Sequence, residues 1–245
     1  MTQAGRRRIY LMRHGHVDYF APGLSDPRAV SLTDEGRRQA QACRDALRAI
    51  PFDLVLHSGL PRTRETAEIV LAANPRAPAP IAEPGFEELK SGWITAVTRE
   101  ELAARIAFCF DGAGEKDAAF LPDGEKFADA ERRIVTAIEK TVLTRAWRAA
   151  LIVAHEGVNR IMLGWATGGG LKSIAAFEQD LCCVNIIDVD VTPATSGGLK
   201  IERALLKAAN LTPYDYAKGG LRRTSLEHLF EVDFGGARPR SVLES

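Results

Sequence analysis

Ile9-Tyr10-Leu11-Met12-Arg13-His14-Gly15 is four apolar residues in a row, then an arginine, an imidazole and a glycine. A short continuous apolar run suits a strand covered on both faces. Gly15 allows a sharp turn just past the two functional side chains. In open α/β sheets ligands collect outside the carboxyl ends of the strands, so Arg13 and His14 stand where chemistry is expected. Taken alone, an Arg-His-Gly tripeptide says little. Three further segments make it informative: Ser58-Gly59-Leu60-Pro61-Arg62-Thr63, Phe86-Glu87-Glu88 leading to Gly92-Trp93, and Leu151-Ile152-Val153-Ala154-His155-Glu156-Gly157.

Outward from these segments, strand-like and helix-like periods alternate. Leu54 to His57, Leu151 to Ala154 and Val184 to Val189 are apolar or β-branched runs like Ile9 to Met12. Between them, Ala40, Cys43, Leu47 and Ile50 recur at helical spacing, with Thr33 as N-cap and Pro51 past the end. Phe127, Ala130, Ile134, Ile138 and Val142 form a second stripe, on a long helix ending near Arg145, with Arg132, Arg133, Glu139 and Lys140 turned outward. The alternation predicts an α/β fold, a three-layer α/β/α sandwich around a mostly parallel central sheet. Asn74 to Pro80 is a proline-rich loop, and Glu100 to Phe108 an alanine-rich helix inside a segment without a clear strand.

A chain of 245 residues suffices for one domain with a substantial core. A net charge of zero gives no support for binding nucleic acid. No stretch approaches the roughly 20 apolar residues of a membrane span, and the run ended by Arg13 is too short for a signal-peptide core. The expected location is the cytoplasm. Cys43, Cys109, the adjacent pair Cys182 and Cys183 lack metal-ligand spacing. The pair, read as strand residues facing opposite ways, is expected to be buried thiols, with no metal and no cofactor.

In this order the segments resemble the histidine phosphatase superfamily, the phosphoglycerate-mutase-like fold, whose mark is a strand ending in Arg-His-Gly. The resemblance includes Leu32-Thr33-Asp34-Glu35-Gly36 and the lead-in Pro122-Asp123-Gly124-Glu125, and stops near residue 207. It implies a catalytic domain over 1–207, a lid insertion at about 93–122 that covers the phosphate pocket and varies with substrate, and a C-terminal extension over 208–245. The alternative for the insertion is a surface excursion without substrate contact. In the extension Leu226, Leu229, Phe230 and Phe234 form a short apolar face for the core or for a second copy of the chain, which leaves a homodimer open.

The chemistry can be read residue by residue. A phosphate monoester dianion resists anionic nucleophiles, so a neutral imidazole suits, and neighbouring cations lower its pKa. His14 would attack phosphorus and become a phosphohistidine. Arg13 and Arg62 match phosphoryl oxygens with planar forks, a protonated His155 would add a further donor, and no metal is then needed. Glu88 stands where the family's proton donor stands before its glycine turn; Glu87 is the competing choice. Ser58 either donates near the phosphate or caps its turn, and Arg64, His57 and His228 are left as structural or surface residues.

Departures from the family pattern concern the substrate. Phe20 replaces a common asparagine six positions after the nucleophile, which removes an amide donor and suggests a more apolar pocket mouth. His16 takes the place of a frequent glutamate or glutamine. Glu156 stands where glycine is common; its side chain is expected to turn away while the N–H of Glu156 or Gly157 faces the anion. The expected function is a metal-independent phosphomonoesterase on a small phosphorylated metabolite. The alternatives are a phosphoglycerate-type mutase, disfavoured by Phe20 and the short stretch between Glu88 and His155, and a non-catalytic phospho-ligand or protein-binding module.

Overall fold

The computed structural model describes residues 4–92, 98–219 and 223–235. Among these residues six strands and six α-helices run β1 (Gly5–Arg13), α1 (Asp34–Leu47), β2 (Leu54–His57), α2 (Pro61–Leu71), β3 (Ile81–Ala82), α3 (Arg99–Ala107), α4 (Phe127–Thr144), β4 (Ala149–Ala154), α5 (Glu156–Thr167), β5 (Val184–Pro193), β6 (Leu199–Leu211) and α6 (Ser225–Phe230). The sheet order is β3-β2-β4-β1-β5-β6. Pairing is parallel from β3 through β1 and antiparallel at β1–β5 and β5–β6, so β5 alone runs against the rest. This is the expected three-layer arrangement with a mostly parallel sheet.

The period of two in β1 explains the layers. Ile9 and Leu11 pack with Ile134 and Ile138 of α4 and Val158 and Ile161 of α5. Tyr10 and Met12, pointing the other way, pack with Ala40 and Cys43 of α1 and Ala67 and Val70 of α2. The stripe Phe127, Ala130, Ile134, Ile138 and Val142 is wholly buried. Thr33 caps α1, its Oγ1 accepting the Gly36 N–H at 3.2 Å. The helix stops at Leu47, so Ile50, expected on its stripe, lies in the following turn. A Cβ on Gly15 would stand 2.6 Å from the Gly36 carbonyl oxygen, so α1 can pack onto the turn after β1 only where both positions lack side chains.

Three expectations are corrected. β1 begins at Gly5, four residues early, because Arg6 and Arg8 lie across from Asp190 and Asp188 of β5 and pair with them at 2.7 Å each; charged residues at an apolar run's edge do not read as strand. β6 was not expected, and the boundary at 207/208 falls inside it, Ala208 pairing with Ile186. Cys182 and Cys183 are buried thiols, as expected, but they precede β5 in a turn where Cys182 has φ +51°. Among the described residues no helix is long and apolar enough to cross a membrane.

Candidate active site

Strand register assembles the site. Arg13 of β1 lies beside Ala154 of β4, so the next residues, His14 and His155, become neighbours with ring centroids 5.2 Å apart. His57 of β2 lies beside Val153, which brings Ser58 to the same end of the sheet, its Oγ 2.8 Å from His155 Nε2. Arg62 enters from the first turn of α2, its guanidinium over the Tyr19 ring at 5.7 Å. All five side chains are buried. Of these, Arg13, His14 and Arg62 border a cavity of about 610 Å³ that Glu88 also lines.

The Nδ1 of His14 lies 2.8 Å from the Gly15 carbonyl oxygen. A carbonyl only accepts, so Nδ1 carries the hydrogen and Nε2 keeps its lone pair. Burial, then Arg62 and Arg13, push the His14 pKa well below the ordinary imidazole range, holding the ring neutral. Burial does the same at His155, with Arg62 and His14 adding to it. Arg13 Nε, Arg62 Nε and His155 Nδ1 are buried without a partner among the described residues. Buried polar groups normally find partners, so three orphaned nitrogens on one cluster mark a place built for oxygen acceptors.

Glu88 and Glu87 separate clearly. Glu87 pairs at 3.0 Å with Arg28 at the rim. Glu88 accepts the Leu89 N–H at 2.9 Å, and burial raises its carboxyl pKa against that hydrogen bond and the pull of Arg62. Gly157 makes room for it: a Cβ there would lie 2.9 Å from Glu88 Oε1 and from Leu89 Cδ1. Gly157→Ala is therefore expected to displace the carboxyl and lower kcat on alkyl phosphates by about 10², the usual cost of a small misplacement of a reacting group. Inhibition by vanadate should shift by less than about tenfold in the same protein. Unchanged kcat would mean that Glu88 need not hold this position.

The other expected site residues divide. Ser58 bonds His155 and Thr63 Oγ1, the latter at 2.9 Å, so it orients the imidazole. His16 is tied to Thr33 Oγ1 at 2.8 Å and lines, with Glu35 and His228, a pocket that Arg13 and His14 also border. Glu156 does not turn away as expected. Its carboxylate stays at the cavity wall, 2.9 Å from Arg13 Nη1, 2.7 Å from Arg160 Nη2 and 3.1 Å from Ser225 Oγ. Two guanidiniums neutralise it, which answers the repulsion a bare carboxylate would exert on phosphate. Its i+4 partner Arg160 was the legible signal. Arg64 faces solvent beside Glu68, and His57 accepts the Gly59 N–H at 3.0 Å. Trp93 and the start of the insertion, 93–97, lie outside the described residues.

The insertion, expected as a lid, and the extension, whose seat was not expected, both reach the cavity. Leu102 and Ile106 of α3 line the cavity, so the insertion is part of the pocket rather than a surface excursion. Leu226, Leu229 and Phe230 of α6 form another wall, and Phe230 meets Phe20 edge to face at 5.6 Å. The apolar face of the extension was visible; its seat was not.

The profile of the histidine phosphatase superfamily (branch 1) matches residues 9–195, and the chain belongs to that superfamily. It is a phosphatase of the kind that acts on small phosphorylated metabolites through a phosphohistidine, the general mechanism of the family. An adenosylcobalamin/alpha-ribazole phosphatase of Salmonella typhi is 30% identical over 186 residues, covering 74% of this chain and 90% of the relative. The crystal structure of the alpha-ribazole phosphatase from Shigella flexneri superposes with TM-score 0.62 at 26% identity, covering 83% of this chain and 96% of that one. A mycobacterial glucosyl-3-phosphoglycerate phosphatase, 19% identical, shares the fold with TM-score 0.65 over 84% of this chain and 99% of its own. Both β6 and α6 lie beyond the matched residues.

Proposed function

We propose that this cluster hydrolyses an alkyl phosphomonoester with His14 as nucleophile and Glu88 as proton donor. Nε2 of His14 attacks phosphorus in line; the P–O bond to the alcohol breaks, and Glu88 protonates the departing alkoxide. Arg13, Arg62 and His155 hold the equatorial oxygens, where charge accumulates in a loose transition state. Ser58 fixes the His155 ring, and the N–H groups of Glu156 and Gly157 at the start of α5 add positive potential. Water, deprotonated by the Glu88 carboxylate, then attacks the phosphohistidine and releases inorganic phosphate.

The observation that carries this reading is the locked tautomer of His14: a neutral imidazole, hydrogen committed to Gly15, beside buried arginine nitrogens without partners. The metabolite named for the Salmonella relative, an alpha-ribazole phosphate, is the first substrate to assay. A cytoplasmic setting belongs to the same reading and is supported by four free thiols.

Because arginines and histidines supply the positive charge, turnover is expected to survive exhaustive chelation within about twofold. A large loss restored by magnesium or zinc would assign the protein to metal-assisted phosphoryl transfer instead.

A further inference from the structure

We propose that the leaving-group half of this site is an apolar chamber for a phosphomonoester whose alcohol carries a bulky hydrocarbon or aromatic body and no second anionic group. The inference rests on the phosphatase reading above and deepens it.

The cavity, about 610 Å³, far exceeds what a phosphoryl group needs and falls in the range of sites for drug-sized ligands. Beyond Arg13, His14, Arg62 and Glu88 its apolar walls include Phe20, Leu102, Ile106, Leu226, Leu229 and Phe230, with Arg28, Glu87 and Lys90 also in the lining. Phe20 keeps about half its surface exposed while its ring meets Phe230. The remaining cations offer a second anion little. Arg28 is bound to Glu87 at the rim, Arg160 is buried against Glu156, and Lys90 lies in the solvent-exposed border. A carboxylate or second phosphate deeper inside would lose its hydration against Leu and Phe side chains, at a cost its surroundings do not repay.

Helix α6 is anchored as part of this wall. Thr224 and Glu227 form a reciprocal capping box. Ser225 donates its N–H to Glu178 at 2.6 Å and its hydroxyl to Glu156 at 3.1 Å. Glu156 in turn holds Arg13. The chamber and the phosphate site are thus joined through one carboxylate, and Glu156, the departure from the family's glycine, is what an extension reaching into the site requires.

Primary n-alkyl phosphates from ethyl to octyl test the chamber, because leaving-group basicity is nearly constant along the series. In wild type, kcat/KM is expected to rise about three- to fourfold per methylene until the chamber fills, the transfer value of a buried CH₂. Phe230→Ala and Phe20→Asn should flatten the rise. Binding of the same phosphates to the His14→Ala protein, followed by calorimetry, should show the same trend without turnover. A flat series in both measurements, or faster turnover of 3-phosphoglycerate than of hexyl phosphate, would overturn the chamber while leaving the phosphatase reading standing. Absence of turnover and of phosphoenzyme, with the chain-length trend kept in binding, would overturn the phosphatase reading instead.

Discussion

His14→Ala is expected to lower turnover of every phosphomonoester by at least about 10⁴, the scale on which loss of a catalytic nucleophile acts. The fold should survive. The imidazole is buried at the edge of an existing cavity, beside two guanidiniums that disfavour its charged form, and its one hydrogen bond is to the adjacent Gly15 carbonyl. Rapid acid quench of wild type during turnover should trap phosphate on protein that is acid-labile and base-stable, the behaviour of a phosphoramidate. The variant should trap none. Because burial, with Arg62 and Arg13, holds His14 below the ordinary imidazole range, the nucleophile stays unprotonated into mild acid, and kcat/KM should fall only as pH drops through that depressed value. Wild-type turnover in His14→Ala would remove the covalent mechanism.

Glu88→Gln should cost about 10² to 10⁴ in kcat on alkyl phosphates, the usual contribution of general acid catalysis. The amide keeps the size and the Leu89 hydrogen bond but cannot release a proton. Aryl phosphates, whose leaving groups need little protonation, should lose much less, and vanadate affinity should hold or rise slightly as a negative charge is removed. The sign of the pH effect follows from the raised carboxyl pKa. The acid form is populated below that value and lost above it, so the alkaline limb for alkyl phosphates belongs to Glu88 and should vanish in the variant. Glu87→Gln, at the rim against Arg28, should leave the leaving-group dependence intact. The opposite pattern in the two variants would exchange their roles.

Much of the proposed site was legible because four of its five side chains follow a short apolar strand or open a helix. Arg13 and His14 end β1, His155 ends β4, and Arg62 lies in the first turn of α2. Such positions are local, and local patterns carry them. Glu88 sits in a loop whose only signal was its distance from a glycine turn, and Glu156 was read from charge alone as a side chain that should leave the pocket. Its neutralisation depends on Arg13 and on Arg160 one turn along α5, and Ser225, remote in sequence and invisible to any local window, adds a hydrogen bond.

By itself the sequence determined the alternating strands and helices, the two apolar faces of β1, and the set of groups able to transfer a phosphoryl group. Those follow from side-chain periodicity and from residue chemistry, which need no partner. Tertiary structure alone decided that Ser58 bonds His155, that His16 is tied to Thr33, that β6 closes the sheet across the expected boundary, and that α6 walls the cavity beside Arg13 and His14. Each of these depends on contacts between residues distant along the chain, where strand register and loop closure, rather than local preference, set which side chains meet.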